Sequence, residues 1–132
     1  MEISVTTEKG RVPVTIIHVS GDIDSATHLA FQSAAEKLIT DGTRHLLVNL
    51  QEAPYISSAG LRALHILFNK LRAIHKDVND DELRVKMKAG AYKSPYLKVA
   101  NLSPQIKDAF ELSGFETYIE TFNDINKAVA SF

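Results

Sequence analysis

Cysteine is absent from the 132-residue chain, which excludes disulfide frameworks, thiolate metal sites and cysteine nucleophiles together. No apolar run approaches the length that spans a bilayer. The first residues, Met1-Glu2-Ile3-Ser4, have neither the basic nor the apolar part of a signal peptide. A cytoplasmic location is therefore the default expectation. Neither sign of charge is in excess: 15 basic and 16 acidic residues give a formal net charge of −1, so nothing global draws the chain to nucleic acid or anionic lipid. Internal repeats, linkers, low-complexity tracts and a glycine-rich phosphate loop are also missing. What is present, 45% hydrophobic and 23% charged residues, is the composition of a folded domain with one sizeable core.

The chain is organised around Ile56-Ser57-Ser58-Ala59-Gly60-Leu61. Ahead of it, His45 to Leu50 is an apolar run of strand length, broken by Gln51 to Tyr55 with Pro54. Behind it, Leu61, Leu64, Leu67, Phe68, Leu71 and Ile74 recur at three- and four-residue steps to about His75, the period of a half-buried helix. The two serines sit where that helix begins. A hydroxyl there can cap the helix, act as a nucleophile, or accept a phosphate that the free amides and helix dipole favour.

In chain order, Ile3–Thr7 and Val12–Val19 read as strands of an antiparallel hairpin, with Glu8 to Arg11 as the turn. Val12, Val14 and Ile16 fall on one face of the second strand and Ile17 and Val19 on the other. His18 reads as a satisfied, partly buried residue. Gly21 ends the strand, and Asp24 or Ser25 caps a helix carrying Leu29, Ala34, Ala35, Leu38 and Ile39 that stops at Gly42. Asp22 and Asp24, with no further carboxylate beside them, make only a weak metal site. Asp24 is explained by capping, and Asp22 suits recognition.

Beyond the central helix, Asp77 to Glu82 is a polar, acidic break. Leu83 to Lys88 is expected as a short helix or irregular excursion, its basic residues forming a solvated face. Tyr96–Ala100 reads as a strand, and Ser103-Pro104 opens a helix that ends before Gly114. Phe115–Ile119 is expected as a last strand, followed by a helix from Asn123 or Asp124 that turns Ile125, Ala128, Val129 and Phe132 inward. Alternation of this kind predicts an α/β layer fold: a mostly parallel five-stranded sheet with an N-terminal antiparallel hairpin and about four helices. Functional groups of such sheets gather at the carboxyl ends of strands. Gly21–Ser25 and Tyr55–Ser58 are therefore expected side by side.

These segments resemble a STAS domain of the stand-alone bacterial anti-sigma-factor antagonist type. Gly21-Asp22-Ile23-Asp24 is similar to that family's Gly-Glu-Leu-Asp segment. Leu47 to Leu50 with Tyr55 to Leu61 is similar to its strand and Asp-Ser-Ser/Thr-Gly-Leu phosphorylation motif, and Leu102 to Phe115 to its C-terminal segment. The likeness runs over about residues 1–76 and 95–132 of a single domain spanning 1–132, with an apparent insertion at about 77–94. Ser57 stands where the motif has aspartate, and Asn49 where an aspartate often ends the third strand.

The resemblance implies a non-enzymatic regulator of transcription that binds a serine kinase serving as an anti-sigma factor. It implies that phosphorylation of a motif serine breaks the complex and that a serine phosphatase restores it. By register the acceptor is Ser58, with Ser57 as the alternative. Asp22, Asp24, Tyr55, Ile56, Ser57 and Arg62 are expected on the partner-binding surface. No cofactor, metal, nucleic acid or membrane is implied, and a homodimer is an option. Two other readings stand beside this one. One is an unphosphorylated STAS scaffold within a signalling assembly or with a transport ATPase. The other, much weaker, is a hydrolase with Ser58 as nucleophile: Ser58-Ala59-Gly60 lacks the first glycine of a nucleophile elbow, and His65 lies roughly 10 Å along the same helix.

Overall fold

The computed structural model describes residues 1–76 and 79–132, so the start of the acidic break, 77 and 78, lies outside the described residues. Strands β1 (Glu2–Lys9) and β2 (Pro13–Ser20) pair antiparallel from Glu2 opposite Ser20 to Lys9 opposite Pro13. Pro13 takes the first position of its strand, where a missing N–H is tolerated. Then come α1 (His28–Thr40), β3 (Leu46–Glu52), α2 (Ser58–Ile74), α3 (Asp80–Lys88) and β4 (Leu97–Ala100). Helix α4 (Pro104–Ser113), a 3-10 turn at Phe115–Thr117, β5 (Thr121–Phe122) and α5 (Ile125–Ser131) complete the chain. The strands lie in sequence order, β1-β2-β3-β4-β5, and every pair after the first is parallel.

The two faces of β2 divide the interior as its alternation predicts. Ile17 and Val19 join Leu46, Val48, Leu50, Leu97 and Val99 under Phe31, Leu64, Leu67, Phe68, Ile106 and Phe110 of α1, α2 and α4. Val14 and Ile16, with Leu47 and Ala100, are covered on the other side by Ala128 and Val129 of α5. Lys98 is buried on this second face. Its ammonium donates to the Ser131 carbonyl and hydroxyl, both at 2.9 Å, and lies 4.9 Å from the Phe132 ring centroid. A buried cation needs such partners, and these fasten α5 to the sheet.

Two expectations are corrected. First, α1 begins at His28, and Leu29 points to solvent while Phe31, Ala35 and Ile39 are buried. Leu29 and Phe31 stand about 200° apart on a helix and cannot both face inward; the larger ring takes the core. Second, Phe115 to Ile119 is not a strand. Phe115, Tyr118 and Ile119 are all buried, a spacing of three and four that a helical turn satisfies and a strand does not. The last strand is the two-residue β5. The short helix expected at Leu83 to Lys88 is present as part of α3, which brings the helices to five among the described residues. Asn79 Oδ1 accepts from the Glu82 amide at 2.8 Å while its Nδ2 donates to the Glu82 carboxylate at 3.0 Å, a reciprocal cap. Leu83 and Met87 pack inward, and Val85 is exposed.

The α1 correction is measurable. Phe31→Ala should cost about 3–5 kcal/mol in urea unfolding. Leu29→Ala should fall within about 0.5 kcal/mol of the parent. The reverse order would restore the original register of the helix.

Candidate functional site

The carboxyl ends of β2 and β3 continue past the sheet as two loops that remain paired. The Gly21 amide donates to the Glu52 carbonyl at 2.9 Å, Ile23 to Tyr55 at 2.9 Å, and Ser57 to Ile23 at 2.8 Å. Ile23 and Ile56 thus form an isolated parallel bridge, and both side chains are buried. Gly21, with φ +105°, supplies the left-handed backbone that starts the first loop. The first turn of α2 rests directly on this bridge. A Cβ on Gly60 would stand 2.6 Å from Ile56 Cγ1 and 2.8 Å from both Ile23 Cγ2 and the Ile23 carbonyl oxygen. Glycine at that point is a matter of close approach, not of turn conformation.

Helix α4 closes the second loop from the other side. The Ser103 hydroxyl donates to the Pro54 carbonyl at 2.9 Å. The Gln105 side chain accepts from the Ile56 amide at 3.0 Å and donates to the Ile56 carbonyl at 3.2 Å. Sequence reading does not single out Gln105: nothing local marks a glutamine in a first helical turn as the partner of a loop 49 residues away.

The seven residues expected at this site divide by what their side chains are free to do. Ser57 is the N-cap of α2, its hydroxyl accepting from the Gly60 amide at 3.3 Å. Ser58 is the first helical residue and is exposed. The capping duty therefore belongs to Ser57, and the Ser58 hydroxyl is not spent on it. Asp22, Tyr55 and Arg62 are exposed as well. Arg62 follows Ser58 by four residues and so shares its side of the helix.

Asp24 is occupied internally. Its carboxylate accepts from the Ala26 and Thr27 amides at 2.9 and 3.1 Å and from the Thr27 hydroxyl at 3.1 Å. The Ala26 amide above all holds its pKa below the ordinary aspartate value. Asp24 caps a turn that leads into α1, while the residue flanking the helix is Thr27, which makes no side-chain cap. Ile56, expected on the partner surface, is buried at 2% exposure; its place is under the surface, holding the loop.

Asn49 faces the other side of the sheet, opposite His18. The Gln51 amide can only donate, and it donates to Asn49 Oδ1 at 3.2 Å. Asn49 Nδ2 therefore donates to His18 Nδ1 at 2.9 Å, and His18 Nε2 donates to the Thr6 hydroxyl at 2.8 Å. An asparagine in this position serves a chain of hydrogen bonds across the sheet on the face away from Ser58. His65 is also engaged, with Nδ1 3.2 Å from the Tyr118 hydroxyl. Burial pushes the pKa of that hydroxyl up to about 12, so it stays protonated. Among the described residues no histidine hydrogen-bonds Ser58, and no cluster of three or more metal-type ligands is present. No helix of the described residues is long and apolar enough to cross a membrane.

The pattern of the STAS domain family matches residues 4–78, and the chain belongs to that family. Among curated relatives it is similar to BtrV of Bordetella bronchiseptica, which is named for a proposed role as an anti-sigma factor antagonist. The two are 25% identical over 114 residues, 86% of this chain and 82% of BtrV. Its fold is that of an anti-sigma factor antagonist from Mycobacterium paratuberculosis, at TM-score 0.70 and 19% identity over 98% of this chain and 93% of that one. The anti-sigma factor antagonist SpoIIAA shares the fold in its unphosphorylated form, at TM-score 0.61 and 12% identity over 96% and 93% of the two chains. The phosphorylated form, from Bacillus, gives TM-score 0.60 and 14% identity over 96% of both chains.

Two measurements probe the local chemistry. Gly60→Ala should destabilise the fold by about 1–3 kcal/mol through overpacking against Ile23 and Ile56, and Ala59→Gly, which adds nothing, should not reproduce the crowding. A Gly60→Ala variant with parental stability would contradict the close approach. The second concerns pH. Burial lowers the His45 and His65 pKa values below 6.5, so the unfolded chain takes up protons first as pH falls. Their contribution to stability is whole above about pH 6.5 and is lost progressively below it. Urea midpoints should thus fall between pH 7.5 and 5.5, and the double substitution His45→Gln, His65→Gln should shrink that fall.

Proposed function

We propose that this protein is an anti-sigma-factor antagonist, switched by phosphorylation of Ser58. In this reading the surface of Asp22, Tyr55, Ser58 and Arg62 binds a serine kinase that also restrains a sigma factor, which frees the sigma factor for transcription. Phosphorylation by that kinase breaks the complex, and a serine phosphatase regenerates it. The protein acts in the cytoplasm as a binding partner, not as an enzyme. One observation carries the reading: Ser58 is exposed at the first position of α2, while the adjacent Ser57 already caps the helix. The names of BtrV and of SpoIIAA, the latter known in phosphorylated and unphosphorylated forms, support it.

The physics of the switch needs no change of fold. A phosphate adds roughly −1.5 to −2 charges near neutral pH, and the N-terminus of a helix accommodates it in the free protein. Against a partner surface shaped for a neutral hydroxyl, the same charge must be desolvated or repelled, at a cost of several kcal/mol, roughly. Arg62, one turn along, is placed to meet an acidic partner group before phosphorylation and to turn toward the phosphate afterwards.

Calorimetric titration against the cognate kinase tests this. Ser58→Ala should bind and resist inactivation, and Ser58→Asp should bind more weakly by about tenfold or more. Ser57→Ala should still be phosphorylated, with some loss of stability from the missing cap, about 1 kcal/mol. Arg62→Ala should fold normally and weaken the unphosphorylated complex. A kinase complex that persists with phosphate at Ser58 would sink the switch and favour the scaffold reading.

A further inference from the structure

Two turns of α1 carry no charge. From Ser25 through Ala35 there is no Asp, Glu, Lys or Arg, in a chain of which 23% is charged. Part of that stretch is core, with Phe31 and Ala35 buried, but Ser25, Ala26, Leu29, Ala30 and Ser33 are exposed. Leu29 is 64% exposed. A helix face turned to water ordinarily carries charged residues, whereas the centre of a protein interface is depleted of them.

The position of this face relative to Ser58 follows from one ion pair. Helices α1 and α2 each link parallel strands and pack on the same side of the sheet, so they run side by side in one direction. Glu36 of α1 meets Lys70 of α2 at 2.9 Å. Seven residues back along each helix, about 11 Å at 1.5 Å per residue, stand Leu29 and Ala63, and Arg62 is the residue before Ala63 on the outward side of α2. Leu29 therefore lies level with the first turns of α2, which carry Ser58 and Arg62, the two helix axes being roughly 8–10 Å apart. Side chains lean toward the N-terminus of their helix, which here is the end bearing Ser58. On the far side of Ser58 the loop clamped by α4 exposes Tyr55.

We propose that the uncharged face of α1, centred on Leu29, is the apolar core of the partner-binding surface. Resting on the function proposed above, its occupant is the kinase anti-sigma factor, which presents an apolar recess to Leu29. Ser58 lies between this core and Tyr55. A phosphate there sets a charge against the edge of an apolar contact, where the partner has least water to offer it.

The test uses the full chain and the purified cognate kinase in calorimetric titration. Leu29→Asp places an acid in the first turn of a helix, where the dipole favours it, so the thermal midpoint should hold. The dissociation constant should rise by about tenfold or more. Leu112→Ser, at a still more exposed leucine of α4 (90%), should change nothing. Wild-type binding with Leu29→Asp within about twofold of it would overturn the α1 surface and leave the proposed function standing. Loss of self-association in sedimentation with unchanged kinase affinity would overturn it also, by making the occupant a second copy of the chain. A wild-type chain that does not bind the kinase at all would overturn the proposed function, and this surface with it.

Discussion

Everything at the candidate site depends on the backbone pairing of Ile23 with Ile56. Two loops that leave a sheet ordinarily diverge, because nothing obliges them to share hydrogen bonds once the strands end. Here the Ile23 amide and carbonyl are both taken by the second loop, at Tyr55 and Ser57, and both isoleucines are drawn under the surface. The bridge fixes where α2 begins. It also dictates the absence of a side chain at position 60, since any Cβ would strike the bridge itself.

A platform of this kind suits a switch that works by charge. Ser57 caps the helix, Gln105 and Ser103 pin the loop from α4, and Asp24 closes the turn before α1. The internal polar groups of the loops are thus satisfied within the fold. What they leave facing outward is a serine hydroxyl, an arginine, an aspartate and a tyrosine, flanked by an uncharged helix face. Modifying that hydroxyl alters the surface without asking the framework to move, since none of the supporting hydrogen bonds passes through Ser58.

Much of this is legible in the amino-acid sequence. Helix α2 was clear because its apolar residues keep a single period over four turns, and α4 because Ser103-Pro104 is a cap followed by a proline that cannot continue a strand. The meeting of the two loops followed from parallel topology alone. The failures have one cause, namely that local pattern was compatible with two answers and tertiary packing chose. The apolar period of α1 is read from Leu29, whereas the volume of the Phe31 ring sets the register the helix takes. Phe115 to Ile119 was too short for its period to speak. Ile56 is expected at the surface because its loop converges on Ser58, and its pairing with Ile23 takes it inside instead. Gln105 could not have been found, for its role is a contact across 49 residues. In each case the missing term was a long-range contact rather than a misread propensity.

Amide hydrogen exchange at Ile23 and Ser57, before and after phosphorylation of Ser58, tests the central claim most directly. Both amides should exchange as slowly as the strand amides of β3, and equally so in the two forms, because the bridge carries the site and the phosphate changes only its charge. Exchange of these amides at loop rates, or a loss of their protection on phosphorylation, would contradict a rigid platform and require the switch to work by a change of conformation.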